Sequence, residues 1–434
     1  MLEANSSTRS MQPFKELGDL VESRWRAQNY NEELLPGIAA QALTEVNPSA
    51  RADPWEIIQW FHTTPDLPQQ MDLEANFGDP PLTLYVGPRF FIDVYYWLDG
   101  TTSIHQHSFS GAFQVLLGGS VHTHYRFEKE REINQHFQVG RILPGEVSLL
   151  KRGDIREIIP GPQFMHSLFH LERPSATITI RNYKTFAAAV QYSYLKPSVA
   201  YDPFFTDAAL RRKLQTVKLL LGMKHPQADR FIEELIKSAD FQTAYVVLEF
   251  AFEYLCHREL EELVGATRSR DRFESLVDRA RAKHGEVVDL LPPVFEESWR
   301  EKEISRRRSL IKGEDHRFFM ALLLNVPDRT TLLRLVQEKF PEQTAIDLII
   351  GWLRELAATR VFGSHEPNVL GIGDFDDRQL AVLRGLLAGD TEAEIQAACE
   401  RQPVATSAPQ HTVREMTARI QALPLFKAIF TAGP

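Results

Sequence analysis

The residues in this chain best suited to chemistry are histidines placed two apart. His105 and His107 lie in the run "SIHQHSF", and His122 and His124 lie in "SVHTHYRFE". Successive side chains of a β-strand point to opposite faces, so each pair projects two imidazoles in one direction. Imidazole is a ligand for zinc, iron, copper and nickel, and two of them on one face make half of a metal site. The chain has 14 histidines, so a His-x-His pair arises easily by chance. Spacing alone therefore does not separate a metal site from histidines satisfied inside a core.

The surrounding pattern says which way each pair faces. In "SIHQHSF", Ser103, His105 and His107 share one face, and Ile104 and Gln106 share the other. In "SVHTHYRFE", Val121, Thr123, Tyr125 and Phe127 form the apolar face, which predicts His122, His124, Arg126 and Glu128 on the solvent side. Both pairs sit in a region of short Val-, Ile-, Phe-, Tyr- and Thr-rich runs broken by Gly and Pro, with no helix between them. That pattern, over residues 81–200, predicts an antiparallel β-sandwich or barrel.

Residues 1–80 read instead as helices packing on that barrel. "FKELGDLVESRWRAQ" and "DPWEIIQWFHTT" carry helical periodicity, with Asp53 as a cap and Pro54 at the first helical position. Residues 201–434 are helical throughout, including "DFQTAYVVLEFAFEYL" and "HRFFMALLLNV", with two segments apolar enough all round to be buried between neighbours and a linker near 403–412. A regular repeat is not evident. The fold class expected is thus α+β and multidomain: an N-terminal helical segment, a central antiparallel β-barrel and a C-terminal all-α domain.

Composition narrows the function classes. The net charge is −9 and there is no dense basic stripe, so nucleic acid is not an expected partner. Arg306, Arg307 and Arg308 in "SRRRS" read as a solvated helix face. The two cysteines, Cys256 and Cys399, lie far apart in helical segments and predict no disulfide, which suits a reducing compartment. With no membrane-length apolar run and no signal-like N-terminus, a cytoplasmic protein without membrane contact is expected. "GIGDFDDRQ" lacks the strand and the Gly or Lys of a phosphate loop, so Asp374, Asp376 and Asp377 read as caps and turn formers.

The stretch from residue 83 to 185 resembles the cupin family. Gly100, His105, His107 and Gly119 follow its first motif, and Gly153, Pro160 and His166 its second. In that family the ligands converge inside a small β-barrel on one divalent metal, and the resemblance implies His105, His107 and His166 as the ligands here. Ala112 falls where most cupins carry a glutamate ligand, and His170 stands where an asparagine is usual. A cupin lacking the glutamate, with a tyrosine following the third histidine, resembles more narrowly the thiol dioxygenases of the cysteine dioxygenase type. Their Ser-His-Tyr triad maps onto Thr179, Arg181 and Tyr183. The carboxylate-gripping arginine of those enzymes maps onto Asp79, with Arg89 the nearest substitute, so free cysteine is not the expected substrate.

The resemblance implies a mononuclear non-haem Fe(II) dioxygenase, or one using another divalent metal, with O2 as co-substrate. Three neutral imidazoles leave the metal's charge at +2 and its flank open, which suits a small or peptide-borne anionic substrate such as a thiol or amino acid. Arg181 is placed to clamp a carboxylate and Tyr183 to donate a hydrogen bond near the metal. Gln114, Arg89 and Thr179 are expected beside the substrate. Each assignment has a plainer counterpart: Tyr183 as core packing, Gln114 as a core amide, and His136 and His170 as structural residues or neighbours of the site. The alternative function is a metal-binding or degenerate cupin that senses a ligand or acts as a scaffold. In either case the helical domain is left to cover the barrel mouth, form a homodimer or bind a protein partner.

Overall fold

The computed structural model describes residues 2–71, 73, 78–98, 103–183, 190–256, 266–360, 368–372, 376–402 and 412–430. Gly100, Asp374 and most of the linker near 403–412 lie outside the described residues. Helical segments Leu2–Ala27, Leu35–Val46, Pro48–Arg51 and Pro54–Thr63 precede the β region. The last begins as expected, with the Asp53 side chain accepting from the backbone N–H of Trp55 and Glu56 ahead of Pro54.

The strands are β1 (Pro81–Val86), β2 (Phe90–Trp97), β3 (Ile104–His107), β4 (Gly111–Leu117), β5 (Ser120–Asn134), β6 (Phe137–Leu150), β7 (Ile155–Ile158), β8 (Gly161–His170), β9 (Ser175–Asn182), β10 (Ser193–Leu195) and β11 (Val199–Tyr201). They form two antiparallel sheets. One has the order β1-β2-β9-β4-β7, and the other, β10-β11-β6-β5-β8-β3, closes into a barrel through the β10–β3 pairing. Alternation along the strands decides what each face meets. In the five-stranded sheet Phe90, Ile92, Val94, Ala112, Ile178 and Ile180 point outward and bury against Phe14, Leu17, Val21 and Leu43 of the N-terminal helices. The opposite face carries Phe113, Val115 and Ile158, which meet Leu150, Phe164 and Leu168 of the second sheet.

The closed barrel is filled by one apolar residue from each of its six strands: Ile104, Tyr125, Ile142, Met165, Tyr194 and Ala200. On β3 and β8 these residues alternate with His105, His107 and His166. The histidines therefore face the five-stranded sheet, in the layer between the two sheets.

The described residues beyond β11 form helices and their connecting turns, from Ala208–Gly222 to Lys427–Phe430. In Glu314–Asn325 every residue from Phe318 to Leu324 is buried, as its apolar composition requires. This helix shares a core with Val121, Phe169 and Leu171 of the second sheet. Asp376 caps the helix Asp377–Ala388 by accepting from the Gln379 N–H, in keeping with its reading as a cap. Cys256 and Cys399 are free thiols. Among the described residues no helix is long and apolar enough to cross a membrane.

Two sequence expectations are corrected. His122 is fully buried rather than solvent-facing, because the helical region covers the Val121 face of β5 and the five-stranded sheet covers the other. The arginine run is not a solvated face either: Arg307 and Arg308 are buried, although Arg306 remains partly exposed. Their helix, Leu291–Ser309, lies against the sheet, and Arg308 donates to the carbonyls of Leu171 at 2.7 Å and Arg317 at 3.0 Å. Its guanidinium also lies 4.8 Å from the Phe169 ring centre.

Candidate metal centre

His105 and His107 come from β3 and His166 from β8, and the register setting His105 against His166 brings all three rings to one point of the inter-sheet layer. They are 4%, 7% and 2% exposed, so the cluster is closed to bulk water. One ring nitrogen from each lies within 4.8 Å of the other two, and these residues are the only such metal-ligating group among the described residues. A metal at about 2.1 Å from each of two nitrogens, at a right angle, sets them about 3 Å apart. His107 Nε2 and His166 Nε2 stand at 2.9 Å. The third ring has more slack, since the three-way separation extends up to 4.8 Å.

A hydrogen bond fixes which nitrogen His105 presents. His105 Nδ1 lies 2.7 Å from the Ser103 carbonyl, which can only accept. His105 Nδ1 therefore carries the proton, and Nε2 is left with its lone pair. His166 Nδ1 lies 2.9 Å from His122 Nε2, so the outer nitrogen of that ring is engaged as well. Burial holds His105 below the usual histidine range, against an opposing pull from the Ser103 carbonyl. Burial pushes His107 and His166 further down, reinforced by neighbouring histidines. All three are thus neutral imidazoles at pH 7, the form that binds a metal.

Aromatic rings wall the cluster. Phe109 stands 4.6 Å from His107 and Phe164 stands 4.4 Å from His166, measured between ring centres, with Phe113 at 6.2 Å from His166. Arg181 points into the same layer from β9, its guanidinium 4.6 Å from the ring centres of both Phe91 and Phe109. Burial lowers its pKa to about 10, which leaves it charged at neutral pH. Thr179 is buried on the same strand face, opposite Phe113 in the β4–β9 register and opposite Asp93 in the β2–β9 register.

The other residues nominated from sequence lie elsewhere. Ala112 pairs with Ile180 and faces the N-terminal helices, so it is not the position that looks at the histidines; Phe113 is. Gln114 points the same way as Ala112, accepting from the Ser49 N–H at 3.3 Å and donating to the Gly153 carbonyl at 3.2 Å, as a core amide. Arg89 is exposed, with its guanidinium 4.5 Å from the Tyr30 ring centre. Tyr183 is 45% exposed at the sheet end, and its hydroxyl donates to the Gly87 carbonyl at 3.1 Å. His136 pairs with Asp202 at 2.8 Å beside a separate cleft of about 1230 Å³ between the β5–β6 hairpin and the helices. His170 stacks on Trp97 at 4.5 Å and contacts Ser120 Oγ at 3.1 Å.

One residue of the site was missed. His122 touches a ligand candidate, and its sequence signal pointed the wrong way because β5 is buried on both faces at this level. No family model matches the sequence, and no curated protein is similar to it at a significant level. Among solved structures the chain is similar to a Klebsiella pneumoniae protein with a double-stranded β-helix domain, at 16% identity and a TM-score of 0.18, over 26% of this chain and 82% of that one. It is also similar to a cupin-2 domain containing protein from Shewanella frigidimarina, at 14% identity and a TM-score of 0.17, over 25% of this chain and 85% of that one. A third is hydroquinone 1,2-dioxygenase from Sphingomonas sp. TTNP3 with 4-hydroxybenzoate bound, at 10% identity and a TM-score of 0.20, over 25% of this chain and 68% of that one. Likeness at this level does not extend to a reaction.

Proposed function

We propose that this chain is a mononuclear, three-histidine metalloenzyme of the Fe(II) dioxygenase kind, acting on a small or peptide-borne anion. The observation that carries the reading is the buried convergence of three neutral imidazoles, joined by no carboxylate ligand among the described residues. His105, His107 and His166 would hold the metal, and Fe(II) there would supply a redox-active site for O2, with the substrate furnishing the remaining electrons. Arg181 contributes a fixed positive charge to the same layer, which favours a carboxylate or thiolate over a neutral substrate. Phe109, Phe113 and Phe164 keep water from the histidines and so strengthen every electrostatic contact among them. Thr179 supplies a hydroxyl on the Arg181 side. Tyr183, whose hydroxyl is engaged at the rim, orients the sheet end rather than the reacting atoms.

The close packing of those phenylalanines favours a second reading, in which the metal is structural or sensory and the helical region is the output surface. O2 uptake separates the two. Protein loaded with Fe(II) under anaerobic conditions and then offered O2 with a panel of thiols and amino acids is expected to consume O2 with at least one anionic member, and His166→Ala to abolish it. Stoichiometric iron with no substrate-dependent uptake across the panel would favour the scaffold.

A further inference from the structure

His122 stands outside the metal-ligand set, yet its Nε2 lies 2.9 Å from His166 Nδ1 with no exposed surface on the residue. Its ring is held from several sides: Phe113 meets it edge-on at 6.1 Å, Phe164 lies at 6.2 Å and His124 at 4.5 Å between ring centres. The backbone fixes it too, because β5 and β8 pair in a register that sets His122 against Leu168 and His124 against His166.

The proton between His122 and His166 can sit in one of two ways. If His122 Nε2–H donates to His166 Nδ1, a neutral His166 must carry its own proton on Nε2, the nitrogen that faces His107. That tautomer cannot bind a metal through Nε2. If instead His166 Nδ1–H donates to His122 Nε2, the His166 Nε2 lone pair is free and aimed at His107. His122 then carries its proton on Nδ1. Ligating histidines commonly give their outer N–H to an acceptor, and removing that acceptor weakens metal binding roughly 10- to 100-fold. For His105 the acceptor is the Ser103 carbonyl. For His107 no partner among the described residues reaches Nδ1.

We infer that His122 is the positioning residue of this centre: by accepting the His166 Nδ1 proton it selects the tautomer and ring orientation that present Nε2 to a divalent cation. The inference rests on the metal-centre reading above. It makes the three ligands unequal, with His105 held by a main-chain acceptor, His166 by a side-chain acceptor and His107 by packing alone.

The test is a Co(II) titration of the full chain, followed by visible absorption, for wild type, His122→Gln and His122→Leu, with the thermal midpoint of each metal-free protein recorded. Glutamine sets an acceptor oxygen near the place of Nε2, whereas leucine fills the space without one. His122→Leu is expected to weaken Co(II) binding roughly 10- to 100-fold, and His122→Gln to recover most of it. Nitrogen-15 NMR of the Zn(II)-loaded wild type is expected to show His166 as the Nδ1–H tautomer. Equal Co(II) affinity in wild type and His122→Leu, or an equal loss in both variants, would overturn the positioning role while leaving the metal centre intact. No Co(II) binding by wild type would overturn the metal reading and this inference with it.

Discussion

His107 Nε2 and His166 Nε2 lie 2.9 Å apart, although the strand register sets His107 against Gly161 and His105 against His166. Two neutral imidazoles meeting nose to nose need something between their lone pairs, either a proton on one of them or a cation shared by both. The second option also uses the His105 lone pair that the Ser103 carbonyl forces inward. One divalent ion per chain is therefore expected by elemental analysis after loading and desalting. Bound metal should raise the thermal midpoint, since a ligand at 100 times its Kd stabilises the folded state by about 2.7 kcal/mol. His107→Ala and His166→Ala should each lose both effects. Retention of tight stoichiometric metal by either variant would mean that the ion sits elsewhere.

Ala112 gives a sharper test of which face of β4 looks at the histidines. Within β4, Phe113 and Val115 face the second sheet while Ala112 and Leu116 face the N-terminal helices. Ala112, fully buried, packs among Leu43, Ile178 and Ile180 under the N-terminal helices. Ala112→Glu should therefore not restore a fourth ligand. It should bury an unpaired carboxylate and cost several kcal/mol in urea unfolding, with the Co(II) spectrum unchanged in whatever protein remains folded. A new oxygen ligand in that spectrum would refute the assigned face.

What was legible in the sequence was mostly local. The facing of His105 and His107 followed from alternation within one short strand, and the Asp53 and Asp376 caps followed from side chains that act within a single helical turn. The three-part architecture followed from the change in period along the chain. What was not legible depends on who covers whom. His122 looked solvent-facing because Val121 and Tyr125 formed the more apolar side, but at the level of His122 the strand lies between a sheet and a helical layer and has no wet side. Arg307 and Arg308 looked solvated because arginine usually is, yet the Leu171 and Arg317 carbonyls give Arg308 buried acceptors. At Ala112 the family spacing pointed to the ligand face, whereas the residue packs under the N-terminal helices. Gly111 shows how tight that junction is, since a Cβ there would fall 1.8 Å from the Ile180 carbonyl oxygen.

His170 links the inter-sheet layer to acid stability. Burial, with a smaller push from the Arg308 charge, lowers its pKa to about 3, against 6.5 for an ordinary histidine. Between those values the unfolded chain binds a proton at this position that the folded chain refuses. Stability from this group is therefore complete above about pH 6.5 and is lost progressively as the pH falls toward 3, at up to about 1.4 kcal/mol per pH unit. His122 adds a loss of the same sign in a similar window, its pKa also pushed down to about 3 by burial and by nearby His124. Replacing His170 by Asn, which keeps a polar group for Ser120, should flatten the dependence of unfolding free energy on pH by close to one proton between pH 4 and 6. An unchanged slope would show that His170 takes up its proton without unfolding.

Arg308 ties the helical region to the strand that carries His166. Its Nη2 donates to the Leu171 carbonyl just beyond the end of β8, with the His170 carbonyl at 3.4 Å, and its Nε donates to the Arg317 carbonyl. These acceptors have no water to turn to, because Arg308 and its surroundings are buried. Methionine at this position would preserve much of the packing on Phe169 but strand the carbonyls, and leaving buried hydrogen-bonding groups unsatisfied typically costs about 1–3 kcal/mol each. Lysine should rescue little, since one ammonium cannot reproduce a planar fork reaching carbonyls on two elements. Arg308→Met and Arg308→Lys are both expected to lower the urea-unfolding free energy strongly, while Arg306→Met, on the exposed flank of the same helix, changes it by less than about 1 kcal/mol. Equal small effects at 306 and 308 would mean that the helical region is held on the sheet by its apolar core alone.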